Sequence, residues 1–163
     1  MLTFALDTST ASPSLALVRD ESPIAELRLA AEPGSGRRVL EGCHGLLTAA
    51  GLRVSDLDEV VVGVGPGGFT GLRIGLATAL GLGQALSVPV TGASSLEALA
   101  LGIARERPEG ALVVPVQDAR RRELFAAVYR AEAGGLTQVL GPVAIPAADL
   151  AAHLAAIGEP AWV

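Results

Sequence analysis

The chain has 163 residues, half of them hydrophobic but only 3% aromatic, so Ala, Leu, Val and Gly must fill either one good core or two small lobes. A net charge of −5 and a pI near 5.0 argue against a surface that serves throughout as a nucleic-acid platform, which would need a basic face. The single cysteine, Cys43, excludes an internal disulfide framework and fits a reducing compartment, and Met1 to Asp7 reads as a strand with no basic n-region, so the expectation is a soluble, cytoplasmic chain without a membrane span.

In chain order, residues 3–6, 14–18 and 24–29 read as three strands joined by tight turns, with Asp20-Glu21-Ser22-Pro23 as the second turn. A Pro/Gly/Ser loop over 31–36 precedes a helix over 37–50, where Val39, Leu40, Cys43, Leu46, Leu47 and Ala50 share one face and Gly51 supplies the stop. A continuously apolar strand over 59–64 leads into a glycine-rich turn and an apolar helix over about 70–86. A short strand over 88–91 follows, then a helix capped by Ser94 or Ser95 that Pro108 stops. Pro108-Glu109-Gly110 reads as a boundary, giving lobes at 1–107 and 108–163. In the second lobe, strands are expected over 111–116, 123–130 and 136–140, the last broken by Gly141-Pro142, and a helix over 146–157. The pattern βββαβαβα followed by βββα, with an aspartate ending the first strand of each half, is the plan of the α/β actin-like/Hsp70-like ATPase fold. On that plan the second lobe is incomplete.

The stretch over 63–83 carries two competing readings. Gly65, Gly67 and Gly68 follow a buried strand and open a helix, a geometry that aims backbone N–H groups at an anion. Neither the Lys-Ser/Thr of a nucleotide P-loop nor the acidic residue of a dinucleotide fingerprint follows, so a plain strand-to-helix turn is the stronger reading of the loop. Gly71, Gly75, Ala79 and Gly83 recur every four residues and form one ridge. Glycine within a helix costs about 1 kcal/mol relative to alanine, so the ridge predicts a very close neighbour, either the protein's own sheet or another chain. Leu72, Leu76 and Leu80 add apolar area, and the helix is apolar nearly all round.

Asp7, Thr8, Ser9 and Asp118 could face a nucleotide and its Mg²⁺, against the simpler reading that both aspartates cap their own turns. His44 and His153 have no metal-ligand spacing, and no metal site or catalytic set is expected. Arg120-Arg121-Arg122 offers phosphate or acidic-patch binding against a solvated turn.

Leu6-Asp7-Thr8-Ser9-Thr10, the run from Val62 to Gly75, the segment from Val88 to Leu99 and Pro115 to Glu123 together resemble the bacterial TsaB (YeaZ) family, relatives of TsaD, which once carried a glycoprotease label. The resemblance spans nearly the whole chain and implies the actin-like (ASKHA, ribonuclease H-like) fold. It implies a non-catalytic subunit that activates TsaD in making threonylcarbamoyladenosine in tRNAs that read codons beginning with adenine. It further implies a heterodimer with a TsaD-like subunit, a TsaE-like ATPase as third member, self-association as a homodimer when alone, and tRNA contact only through the complex. No cofactor is expected to bind tightly, with ATP or ADP and Mg²⁺ reserved for the complex interface. The pairing surface would lie on the two first-lobe helices, at Arg38, Leu46, Gly71, Leu72, Gly75, Leu76, Ala79, Leu80 and Gly83. Gly68 stands where relatives have serine, and Ser35-Gly36-Arg37 where they have His-Ser-Glu. The competing class is an enzyme in its own right, an ATPase or a metallopeptidase. Direct tRNA binding is a weaker option for an acidic chain with few aromatics.

Overall fold

The computed structural model describes residues 1–31 and 38–163, and its chain divides into two units, Met1–Ala93 and Ser94–Val163. Most of the loop expected over 31–36, and the helix start at Arg37, lie outside the described residues.

The first unit is a five-stranded sheet ordered β3-β2-β1-β4-β5, the ribonuclease H-like arrangement of the actin-like fold. β1 (Leu2–Asp7), β2 (Ser14–Arg19) and β3 (Ser22–Arg28) form an antiparallel meander, while β4 (Glu59–Gly63) and β5 (Val90–Ala93) run parallel to β1. Parallel neighbours need crossovers, and α1 (Val39–Ala49) and α2 (Phe69–Leu86) supply them. Side chains alternate along a strand, so Leu2, Phe4 and Leu6 of β1, Leu15 and Leu17 of β2, and Val60 and Val62 of β4 point to one face. There they form a single core with Val39, Cys43, Leu46 and Leu47 of α1 and Ala79 of α2. Gly42 lets α1 approach β2, since a Cβ there would lie 2.6 Å from Leu15 Cδ1.

The second unit holds α3 (Ser95–Ala104), β6 (Leu112–Val113), β7 (Val116–Arg120), β8 (Glu123–Glu132), β9 (Gly135–Pro146), α4 (Ala147–Ile157) and β10 (Ala161–Trp162). β8 pairs with β9 along one edge and with β6 and β7 along the other, and β10 adds parallel to β6. Alternation again sorts the core. Val113, Ala127 and Tyr129 meet Leu96 and Ala100 of α3, while Leu112, Ala126 and Val128 meet Leu150 of α4.

Three sequence expectations are corrected here. The boundary falls at Ala93–Ser94 rather than after residue 107, because α3 buries Leu96 and Ala100 against the second sheet. Its N-cap is Ser94, whose Oγ accepts the Glu97 N–H at 3.3 Å. The strand expected over 111–116 is interrupted at Val114-Pro115, where proline has no N–H to offer the ladder, so β7 resumes as a separate strand at Val116. Conversely, Gly141-Pro142 does not end β9. The register shifts between Ala126 and Val128 of β8, and this irregularity absorbs the proline within an edge strand that runs on to Pro146.

Candidate functional site

β1 and β4 are parallel neighbours, paired as far as Leu6↔Val62, so the segments that follow them leave the same end of the sheet. This places Asp7, Thr8 and Ser9 beside Gly65, Gly67 and Gly68. Asp7 Oδ1 accepts the Ser9 N–H at 2.7 Å, which is the turn-capping role. The Gly68 N–H donates to the Ser9 carbonyl at 2.6 Å. A Cβ on Gly67 would sit 2.5 Å from Ser9 Cβ and from Ser9 O, and Gly65 has φ +98°. The loop therefore needs glycine in order to lie against the chain's own first turn. Asp118 lies in the second unit, exposed, with its Oδ1 accepting the Arg120 N–H at 2.8 Å.

The small-residue ridge of α2 lies against the same turn. Thr8 is buried, and its Oγ1 donates to the Gly71 carbonyl at 2.8 Å. A Cβ on Gly71 would run into the Thr8 carbonyl, one on Gly75 into Thr8 Oγ1, and one on Gly83 into Val90 Cγ2. Gly75, Ala79 and Gly83 are buried. As a docking surface the ridge is thus corrected: these glycines admit the protein's own sheet, and Gly71, Gly75, Ala79 and Gly83 are internal packing. Leu46 is core, and Leu76 packs half-buried against that core. Leu72 is half-buried over Gly65, whereas Arg38 is exposed at the start of α1 and Leu80 on α2 is 59% exposed.

The opposite side of α2 is exposed. Phe69, Arg73, Ala77, Leu80, Gly81 and Gln84 are all exposed, and their spacing puts them on one face. Phe69 is 68% exposed, and the Arg73 guanidinium sits 4.0 Å from its ring centroid, a cation–π pair held at the surface. Gly81 has nothing within 4 Å of a would-be Cβ. On α1, Leu40, Glu41, His44, Gly45 and Thr48 are likewise exposed, and Gly45 also faces open space. The sequence reading places Arg38 and Leu80 on the pairing surface but leaves out the rest of this exposed face, because it follows the closest glycine spacing. Gly45 and Gly81 fall outside the ridge, but so do Gly42, which meets Leu15, and Gly102 of α3, so the sequence alone does not single them out.

Behind that face, Cys43 is enclosed by the core, and burial pushes its thiol up to about 11. It behaves as a small hydrophobe rather than a nucleophile. Among the described residues no three His, Cys, Asp or Glu side chains gather as metal ligands, and no helix is long and apolar enough to cross a membrane.

Comparison with known proteins adds the following. The family model for TsaD, tRNA N6-adenosine threonylcarbamoyltransferase, matches residues 32–160. The tRNA threonylcarbamoyladenosine biosynthesis protein TsaB of Bacillus subtilis is 35% identical over 149 residues, covering 91% of this chain and 64% of the relative. The Escherichia coli protein of the same name is 32% identical over 136 residues, covering 83% and 58%. The solved structure of YeaZ from Pseudomonas aeruginosa superposes with a TM-score of 0.80 at 32% identity, covering 89% of this chain and 67% of that one. The chain spans less than two thirds of the length of these two curated relatives.

Proposed function

This chain belongs to the TsaB (YeaZ) family of tRNA threonylcarbamoyladenosine biosynthesis proteins, and from that membership we propose that it is a non-catalytic subunit that activates a TsaD-like transferase. On this proposal it docks through the outward faces of α1 and α2, in the cytoplasm. A TsaE-like ATPase joins the pair, the chain self-associates when alone, and any ATP or ADP with Mg²⁺ belongs to the assembled complex. The observation that supports this most directly is the presence of Gly45 and Gly81 on exposed helix faces, each with open space above it. An exposed helical glycine costs about 1 kcal/mol relative to alanine, and among the described residues nothing lies close enough to require either one. Beside them, Leu40 at 54% and Leu80 at 59% exposure offer apolar anchors. Small residues flanked by exposed leucines suit the close approach of a partner helix.

The Asp7–Ser9 and Gly65–Gly68 arrangement favours the scaffold reading over an ATPase. The Asp7 carboxylate and the Gly68 N–H, the groups that would serve a phosphate and its metal, are engaged with Ser9. The deciding experiment is reconstitution of tRNA threonylcarbamoylation with TsaD-like and TsaE-like subunits, with and without this chain. Product should depend on the chain, and Gly81→Arg should remove both co-elution with the TsaD-like subunit and product while the variant stays folded. ATP hydrolysis by the chain alone that disappears in Asp7→Asn would replace the scaffold with an enzyme.

A further inference from the structure

The β7–β8 hairpin turns on three arginines, and each has a left-handed backbone: φ is 69° at Arg120, 51° at Arg121 and 68° at Arg122. The strands pair Asp118↔Leu124 and then Arg120↔Glu123, so Arg121 and Arg122 form a two-residue loop and the register shift lies just before it. A two-residue loop with positive φ at both positions is the setting in which Asn-Gly or Gly-Gly is strongly preferred. Arginine carries a Cβ that crowds the backbone in this region, and three in succession are strained where glycine would be free. Strain of this kind persists where a side chain is needed for something else.

Among the described residues, no side chain accounts for the guanidinium groups. All three side chains are exposed, and among the described residues none pairs with a carboxylate. Arginine ion pairs occur instead at Arg53–Asp56 and Arg130–Glu159. The neighbouring acids are Asp118, whose Oδ1 accepts the Arg120 backbone N–H, and the half-buried Glu123. The chain has 12 cationic side chains, all arginine, so one turn gathers a quarter of them on a molecule of net charge −5. The tip is carried by β8, which is paired on both edges, so it projects from a fixed base.

We propose that Arg120, Arg121 and Arg122 form a contact for the phosphate backbone of a paired RNA stem, which, taken with the proposed function, is the tRNA substrate. Guanidinium forks match phosphate oxygens bidentately. Double-stranded RNA is held through its shape and phosphates and needs no aromatic platform, which a chain with 3% aromatic residues does not provide. The net negative charge of the rest of the molecule keeps this contact local and weak on its own, so it acts as one element of a larger complex.

The test uses Arg121→Asn/Arg122→Gly, which removes two charges and installs the preferred loop sequence. The variant should melt at the same or a higher temperature than the parent. In the assembled complex its tRNA affinity should fall about fivefold or more, and the slope of log K against log salt should drop by roughly 1 to 2, as for one or two lost phosphate contacts. A parallel titration of the chain alone with an RNA stem at low salt should show weak binding that the variant loses. Unchanged affinity and salt slope in an intact complex would make the triad a solvated turn. Loss of subunit assembly with unchanged RNA binding would assign the triad to an acidic protein surface instead. If the parent complex fails to assemble, the functional proposal fails, and the titration of the chain alone still decides the arginine contact.

Discussion

Thr8 and Gly71 are locked together in both directions. The Thr8 hydroxyl donates to the Gly71 carbonyl at 2.8 Å, and the Thr8 carbonyl occupies the space that a Cβ on residue 71 would take. Strand β1 and helix α2 are therefore joined at closer range than any pair of larger side chains would allow, and Gly75 repeats the approach one turn later at Thr8 Oγ1.

Substitutions along α2 should accordingly split by face. Gly71→Ala and Gly75→Ala should destabilise the chain by about 1–3 kcal/mol, because the added methyl meets backbone or a buried hydroxyl that cannot move away. Gly81→Ala meets nothing within 4 Å and should stabilise by up to about 1 kcal/mol. Urea denaturation of the three variants checks both signs, and equal effects at Gly75 and Gly81 would contradict the packing described for α2.

Removing the hydroxyl of Thr8 while keeping its shape isolates the hydrogen bond from the packing. Thr8→Val should lower stability by about 1 kcal/mol, the usual net worth of one intramolecular hydrogen bond. Thr8→Ser keeps the donor and loses only a methyl, so it should retain the Gly71 bond. The two midpoints in a single denaturant series make the comparison.

Cys43 supplies a pH signature. Its thiol is raised from an ordinary 9.0 to about 11 by burial, so the folded state binds this proton more tightly than the unfolded chain does. Its contribution is fully present below pH 9 and is lost as pH rises through about 11. The parent should therefore lose stability over that window more steeply than Cys43→Ala. Thiol-directed reagents should also modify Cys43 only as fast as the first unit opens.

Arg130 and Glu159 form a two-pronged ion pair, at 2.8 and 3.1 Å, and Arg130 also donates to the Gly110 carbonyl at 2.8 Å. Both side chains are substantially exposed, so solvent and salt screen the pair. A double-mutant cycle on Arg130→Ala and Glu159→Ala should give a coupling below about 1 kcal/mol that shrinks further at high salt.

Much of the fold was legible because its strands and helices carry their own periodicity. The meander follows from short apolar runs joined by tight turns, the two first-unit helices from the apolar face of α1 and the fourfold spacing along α2, and the actin-like plan from the order of the elements. The spacing of Gly71, Gly75, Ala79 and Gly83 correctly announced a close neighbour, yet periodicity names the residues that share a face and not the object that covers it. At Gly71 and Gly75 the neighbour is Thr8, more than sixty residues away in sequence, and no local pattern records that contact. The same limit moved α3 from one unit to the other, since Leu96 and Ala100 fix an apolar stripe but not its destination. Pro142 and Pro115 look alike as breakers. One lies in an edge strand at a register shift and is tolerated, and the other lies where the strand would pair with β8 and splits it. Gly45 and Gly81 stood in view throughout, but their meaning rests on the empty space above them, which only coordinates reveal.

The arrangement of β8 has a consequence for how the second unit comes apart. Its ten residues bond to β9 on one side and to β6 and β7 on the other, and its two faces feed the separate clusters under α3 and α4. Neither helix can leave without uncovering this strand, and neither edge can peel without freeing amides along its length. β8 is thus the spine whose protons should exchange last, with the amides of Ala126 to Tyr129 timing the global opening of the unit while β10 and the tip of α4 fray around them.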